Sequence, residues 1–242
     1  MKTLTVMSRK GGAGKTTVSL SIALAARQAG LKVVVADVDP LHSAGEVMRS
    51  RPEATSMLFE TTASKLFILQ DACRQNGCDL LVIDTPAAPE ADVLRAANVA
   101  DLCLLVARPT SLDVAALRES ITLVRRAGHP GLVVLNQCPP TRGGVESDVV
   151  LQAAEQLRFG HLPIAATKLR SRIAYQRAFA HNCAVTEWEP ASEAAAEVLR
   201  LLAEISDQMR LASASSAASP AEARTGTGPV HLMRAALKRR LA

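Results

Sequence analysis

Between a short apolar run, Thr3–Met7, and a stretch of helical periodicity, Lys15–Ala29, the chain reads Lys10-Gly11-Gly12-Ala13-Gly14-Lys15-Thr16-Thr17. A strand that runs through a glycine-rich turn straight into a helix leaves few folds open. Gly11, Gly12 and Gly14 let the backbone wrap closely, so that its N–H groups can face phosphate oxygens. The helix that follows presents an amino end that favours an anion. Lys15 is placed to reach β and γ phosphates, and the Thr16 hydroxyl to meet a magnesium ion. The segment departs from the ordinary phosphate-loop pattern G-x-x-x-x-G-K-[ST], because Arg9 stands where the first glycine is expected.

The rest of the chain alternates strand and helix patterns. Strands are predicted at Lys32–Asp37, Leu80–Asp84, Leu102–Ala107, Leu132–Asn136 and near Leu162–Ala166. Helices are predicted over 43–51, 64–76, 89–99, 112–127 and 145–158, then near 171–181 and 191–211, with the stretch between 51 and 64 unassigned. This order specifies a doubly wound α/β fold: a mostly parallel sheet flanked by helices on both faces. The composition agrees. Hydrophobic residues make up 48% of the 242 residues and aromatics only 2%, the diet of Val, Leu, Ile and Ala that buried parallel strands use. Ligands of such sheets sit at the carboxyl ends of the strands. Residues 1–211 form the expected domain. Residues 212–229, rich in Ala, Ser, Pro, Gly and Thr, read as a linker, and 230–242 as a basic amphipathic tail.

Strand-end carboxylates supply the second constraint. Asp84 closes an apolar strand, where an unpaired charge is costly and a metal-bound water is a good partner. Asp37 and Asp39 close the strand Lys32–Asp37, in Ala36-Asp37-Val38-Asp39-Pro40. Asn136 ends a further strand, where its amide can read adenine or simply start the turn before Cys138-Pro139-Pro140.

Taken together, these segments resemble the ParA/MinD group of ATPases. Lys10 matches that group's deviant Walker A loop, the D-x-D-P segment at Asp37–Pro40 matches its second strand, and Leu81-Val82-Ile83-Asp84-Thr85-Pro86 matches its Walker B strand. The resemblance spans about residues 2–211. It implies ATP and Mg²⁺ as cofactors, bound by Gly11, Gly12, Ala13, Gly14, Lys15, Thr16, Thr17 and Asn136, with Thr16, Asp37, Asp39 and Asp84 around the metal. It implies that Asp39 positions the attacking water, that Lys15 stabilises the phosphates, and that Lys10 reaches into the site of a partner subunit. ATP would then gate a homodimer and hydrolysis would be slow. Where the group often carries Gln after D-x-D-P, this chain has Leu41-His42-Ser43. His42 is expected to be a solvent-facing loop residue.

The segment Leu169–Ala180 and the following Val185–Pro190 resemble the carboxyl-terminal part of small ParA proteins, which bind DNA without sequence preference and position DNA or protein cargo. Lys168, Arg170, Arg172 and Arg177 are the candidate phosphate contacts, and their alternative is an ordinary solvated basic face. An activating partner protein is part of that expectation. Small ParA proteins often carry lysines after this segment's proline, whereas Ala191-Ser192-Glu193 stand here. The tail offers a second matrix. Val230, Met233, Leu237 and Leu241 form an apolar stripe beside Arg234, Lys238, Arg239 and Arg240, which carry four of the five net positive charges of the chain. Such a helix can lie on an anionic membrane, as in the MinD arrangement, or bind DNA or a partner. A third reading is an enzyme or metal chaperone on the same fold.

The five cysteines include no C-x-x-C pair. That argues against a metal chaperone, and buried thiols in a reducing cytosol are expected. No secretory signal pattern opens the chain, and no apolar run reaches the roughly 20 residues that cross a bilayer. A cytoplasmic, nucleoid-associated protein, or one peripherally attached to a membrane, is therefore anticipated.

Overall fold

The computed structural model describes residues 1–210 apart from residues 53, 89 and 159. The linker anticipated at 212–229 and the tail helix at 230–242 lie outside the described residues. Six strands, β1 (Lys2–Met7), β2 (Val33–Asp37), β3 (Leu58–Glu60), β4 (Leu80–Asp84), β5 (Leu102–Ala107) and β6 (Gly131–Leu135), form one sheet. Their order is β3-β2-β4-β1-β5-β6 and every pairing is parallel. The first helices are α1 (Lys15–Gln28), α2 (Ser43–Met48), α3 (Ala54–Met57), α4 (Leu66–Gln75) and α5 (Glu90–Asn98). They are followed by α6 (Ser111–Arg126), α7 (Asp148–Arg158), α8 (Ile173–Ala180), α9 (Val185–Trp188) and α10 (Glu193–Met209).

Side chains alternate across the sheet and so divide the core in two. Leu80 and Val82 of β4 join a cluster with α1, α8 and α10. Leu81 and Ile83 of the same strand point to the other face, towards α4 and α5. Met7, Leu105 and Val133 continue that second face against α6 and α7. The doubly wound architecture is thus the one anticipated. Helix α1 has no polar face: every residue from Val18 to Ala26 is buried. Such a helix needs cover all round, and it lies between the sheet and α10, whose Val198, Leu201 and Ile205 share its cluster.

The structure departs from the sequence expectation in several places. Leu58–Glu60 pairs with β2 as an edge strand inside the unassigned stretch, because three residues are too few to show a period. The segment near Leu162–Ala166 makes only an isolated bridge between Val133 and Ile164. Pro163 has no N–H to give and contributes only its carbonyl, which accepts from the Val133 N–H at 2.9 Å. Helix α7 starts at Asp148 rather than 145, because Arg142 and Val145 close a two-residue hairpin over Gly143 and Gly144, whose φ values are 56° and 78°.

Leu201 is fully buried between α10 and α1. Leu201→Ala is expected to lower the unfolding free energy by about 2–5 kcal/mol in a denaturant titration, because the surrounding layers cannot close on the void.

Candidate functional site

The phosphate loop is shaped by two left-handed residues, Gly12 (φ 75°) and Gly14 (φ 90°), the latter at the amino end of α1. Gly14 is held from behind. A Cβ on it would collide with Asn136 Nδ2. Asn136 follows β6, is buried, and donates from Nδ2 to Ala13 O at 2.8 Å. Gln137 donates to Gly12 O at 3.0 Å and itself adopts φ 53°. These two amides tie the loop to the end of β6, two strands away from β1. Asn136 therefore buttresses the loop and is not among the residues lining the cleft in front of it.

That cleft, of about 610 Å³, opens at the carboxyl ends of the strands. Gly11, Gly12, Gly14, Lys15, Thr16 and Thr17 line one side, Asp39 and Leu41 another, and Pro86–Ala88 a third. Ala13 is buried beneath the loop. The Lys15 side chain is largely buried, and burial lowers its pKa against the opposing pull of Asp84 and Asp39. Lys10 is half-exposed. Its N–H donates to Ser8 Oγ at 3.3 Å, and among the described residues its ammonium has no hydrogen-bond or ion-pair partner.

Asp37 and Asp84 face each other in register on adjacent strands, and neither is exposed. Asp37 accepts from the Asp39 N–H at 3.1 Å and the Gly45 N–H at 3.3 Å, while burial raises its pKa. Asp84 is pushed up to about 7 by burial, with the Asp37 charge adding to the rise. The hydroxyls of Thr16 and Ser19 and the Lys15 ammonium oppose it. Its Oδ1 accepts from Ser19 at 3.0 Å, and its Oδ2 is buried with no partner. An orphaned carboxylate oxygen beside a threonine hydroxyl and a second carboxylate is what a hydrated divalent cation fits. Asp39 is half-buried and accepts the Leu41 N–H at 3.0 Å. All the cleft residues singled out from the sequence are thus brought to one end of the sheet.

Ser19 was not anticipated. Its signal in the sequence is a serine one turn beyond Thr16 inside a mostly apolar helix, and it is fully buried in the structure. His42 differs from expectation as well. It is half-buried with φ 48° and its charge bears on Asp37, and its Nδ1 is buried without a partner.

Of the four basic candidates, two turn inward. Arg170 forms a two-pronged pair with Glu146 (2.7 and 2.8 Å) and also donates to Pro139 O at 2.8 Å. Arg172 pairs with buried Glu197 at 2.7 and 3.0 Å. Lys168 is half-buried and donates to Ala166 O at 3.2 Å. These three line a cleft that also carries Glu193, Glu197 and Glu204, so its charge is mixed. Arg177 alone of the four is exposed.

With this geometry in view, the comparison with known proteins is direct. The model of the CobQ/CobB/MinD/ParA nucleotide binding domain matches residues 4–213. The chain belongs to this family. It is accordingly a P-loop ATPase of the ParA/MinD type, working with ATP and Mg²⁺. It is 30% identical over 216 residues to the maintenance of carboxysome distribution protein A of Gloeobacter kilaueensis, covering 86% of this chain and 96% of that one. Over 132 residues it is 31% identical to a ParA of Rhizobium radiobacter, 51% of this chain and 56% of the relative. Among solved structures it superposes on MinD of Pyrococcus horikoshii with Mg-ADP, with a TM-score of 0.69 at 17% identity over 84% of this chain and 95% of that one. A Cyanothece McdA in complex with ATP gives 0.67 at 16% identity over 88% and 97%.

Gly14→Ala is expected to cost about 1–3 kcal/mol of stability and to abolish ATP binding in calorimetric titration. Adding Asn136→Ala should not restore binding, because the positive φ remains. A second prediction concerns acid. The Arg170 guanidinium holds the Glu146 carboxyl below its ordinary range. Its contribution to stability is therefore complete above the unfolded value of about 4.3 and fades as pH falls through the lower folded value. Glu146→Gln should lower the denaturation midpoint at neutral pH and shrink the loss of stability below about pH 4.

Proposed function

We propose that the protein is an ATP-gated dimer switch that binds DNA without sequence preference and positions a DNA or protein cargo, reset by slow hydrolysis. The observation that carries this reading is Lys10. One loop lysine, Lys15, is buried in the cleft, while the other, five residues earlier, stands half-exposed with no partner in its own described chain. A cation held at the mouth of a phosphate site is suited to complete the site of a second copy, as a finger supplied in trans does.

The chain's own residues then divide the work. Gly11, Gly12, Ala13, Gly14 and Thr17 present the loop, Lys15 neutralises phosphate charge, and Thr16 with Asp84 and Asp37 would hold the metal. Mg²⁺, when bound, neutralises phosphate charge and helps orient the γ phosphate. Asp39 reaches the cleft from a loop rather than from the buried strand end, and its carboxylate, held by the Leu41 N–H, is suited to orient a water. Asn136 serves the loop from behind.

For DNA, the support is the resemblance to small ParA proteins together with Arg177 exposed on α8, and the likeness to a carboxysome distribution protein supports the positioning of a cargo. Arg170 and Arg172 contribute through the ion pairs that shape this region, and Lys168 borders them. An activating partner protein and a nucleoid-associated location belong to the same proposal.

Lys15→Ala should abolish nucleotide binding. Asp39→Ala should bind ATP but accumulate as a dimer in light scattering, with hydrolysis reduced to background. Normal hydrolysis by Asp39→Ala would overturn the assignment. ATP-dependent gel shift of plain DNA should persist after removal of residues 212–242 and weaken in Arg177→Ala. Pelleting with anionic liposomes instead, lost with those residues, would replace DNA by a membrane as the matrix.

A further inference from the structure

Helix α4 ends in a turn with an unusual pair of side chains. Gly77 takes φ 67°, its N–H donates to Arg74 O at 3.2 Å, and the Cys78 N–H donates to Cys73 O at 3.0 Å. This is the Schellman arrangement, in which the residue after the left-handed glycine packs on the residue five positions before it. An apolar contact usually occupies that place. Here the two partners are cysteines, at 0% and 7% exposure, and both belong to the buried cluster on this face of the sheet.

The surroundings make the pair unequal. Cys73 is sealed in the core beneath the sheet. Cys78 lines a cleft of about 330 Å³ together with Lys32, Asn76 and Met57, so a small reagent can approach it. The neighbouring Cys73 thiol lowers the Cys78 thiol's pKa, with help from the Lys32 charge and against burial and Asp79, while the same neighbour and burial raise that of Cys73. A thiol that is both more acidic and more accessible is the one that enters exchange first. The turn is also held firmly. Asp79 exchanges hydrogen bonds with the Lys32 backbone and accepts the Lys2 N–H, all at 2.8 Å, so the two cysteines cannot drift apart without disturbing the starts of three strands.

We propose that Cys73 and Cys78 form a reversible dithiol–disulfide modification site, with Cys78 as the entering thiol and a small-molecule disulfide as the oxidant. The Cys78 thiolate attacks one sulfur of the reagent, forming a mixed disulfide and releasing one reagent thiolate. Cys73 then gives up its proton, attacks the Cys78 sulfur and expels the second. Two protein thiols are oxidised, one disulfide is reduced to two thiols, and the protein loses two hydrogens. The site lies at the amino end of the sheet, away from the nucleotide cleft, so ATP binding is expected to continue in the oxidised form.

The test treats the folded full chain with oxidised glutathione at neutral pH and follows intact mass and peptide maps. The expected product lacks two hydrogens, carries no glutathione at either position, and reverts with dithiothreitol. Cys73→Ser should stop at a stable glutathione adduct on Cys78, and Cys78→Ser should leave Cys73 unreacted. Two free thiols in the treated wild-type chain would overturn the proposal. So would a lasting adduct on wild-type Cys78, or a crosslink that uses Cys183.

Discussion

The burial of two carboxylates at the ends of neighbouring strands is the constraint around which this molecule is arranged. Asp37 and Asp84 sit side by side, shielded from water, where a charge is expensive unless hydrogen bonds and counter-charges meet it. The fold meets most of that demand from separate pieces of chain. Ser19, Thr16 and Lys15 come from the start of α1, and the Asp39 and Gly45 N–H groups come from the turn after β2. One oxygen of Asp84 is left over. That unsatisfied carboxylate oxygen, beside a second strand-end carboxylate, is where a metal ion and its water shell belong.

The same economy explains the loop. A glycine-rich turn is conformationally costly to hold, and Gly12 and Gly14 use backbone angles that other residues avoid. Two amides from the end of β6 hold it in place by bonding its carbonyls. This leaves the loop's N–H groups free to face the cleft. Helix α1 is anchored from its other side by α10, so the segment that begins with the loop is gripped along its whole length. Loop, carboxylates and buttress thus converge from β1, β2, β4 and β6, four strands that only the sheet brings together.

Basic residues illustrate why surface chemistry is harder to read than core chemistry. In sequence, Lys168, Arg170, Arg172 and Arg177 are four cations within ten positions. In the structure, Glu146 and Glu197, drawn from before α7 and from within α10, claim two of them. A spacing argument cannot see acids 24 or 25 residues distant. Strand positions fared better because burial forces long apolar runs. The edge strand Leu58–Glu60 escapes because three residues carry no period, and the strand expected near Leu162–Ala166 is only a bridge because Pro163 interrupts the ladder.

By itself the sequence determined the doubly wound class, the position of the phosphate loop, the strand-end aspartates and membership of the ParA/MinD type. Each is local chemistry, written in glycine spacing, apolar runs and the residue that terminates them. Only the tertiary structure decided that Asn136 and Gln137 brace the loop, that Ser19 serves Asp84, that Arg170 and Arg172 are committed inward, and that Cys73 and Cys78 meet at one helix end. The first three groups depend on hydrogen bonds and ion pairs between segments far apart in the chain. The cysteine pair depends on a left-handed glycine whose geometry turns Cys78 back onto the last turn of the helix that carries Cys73.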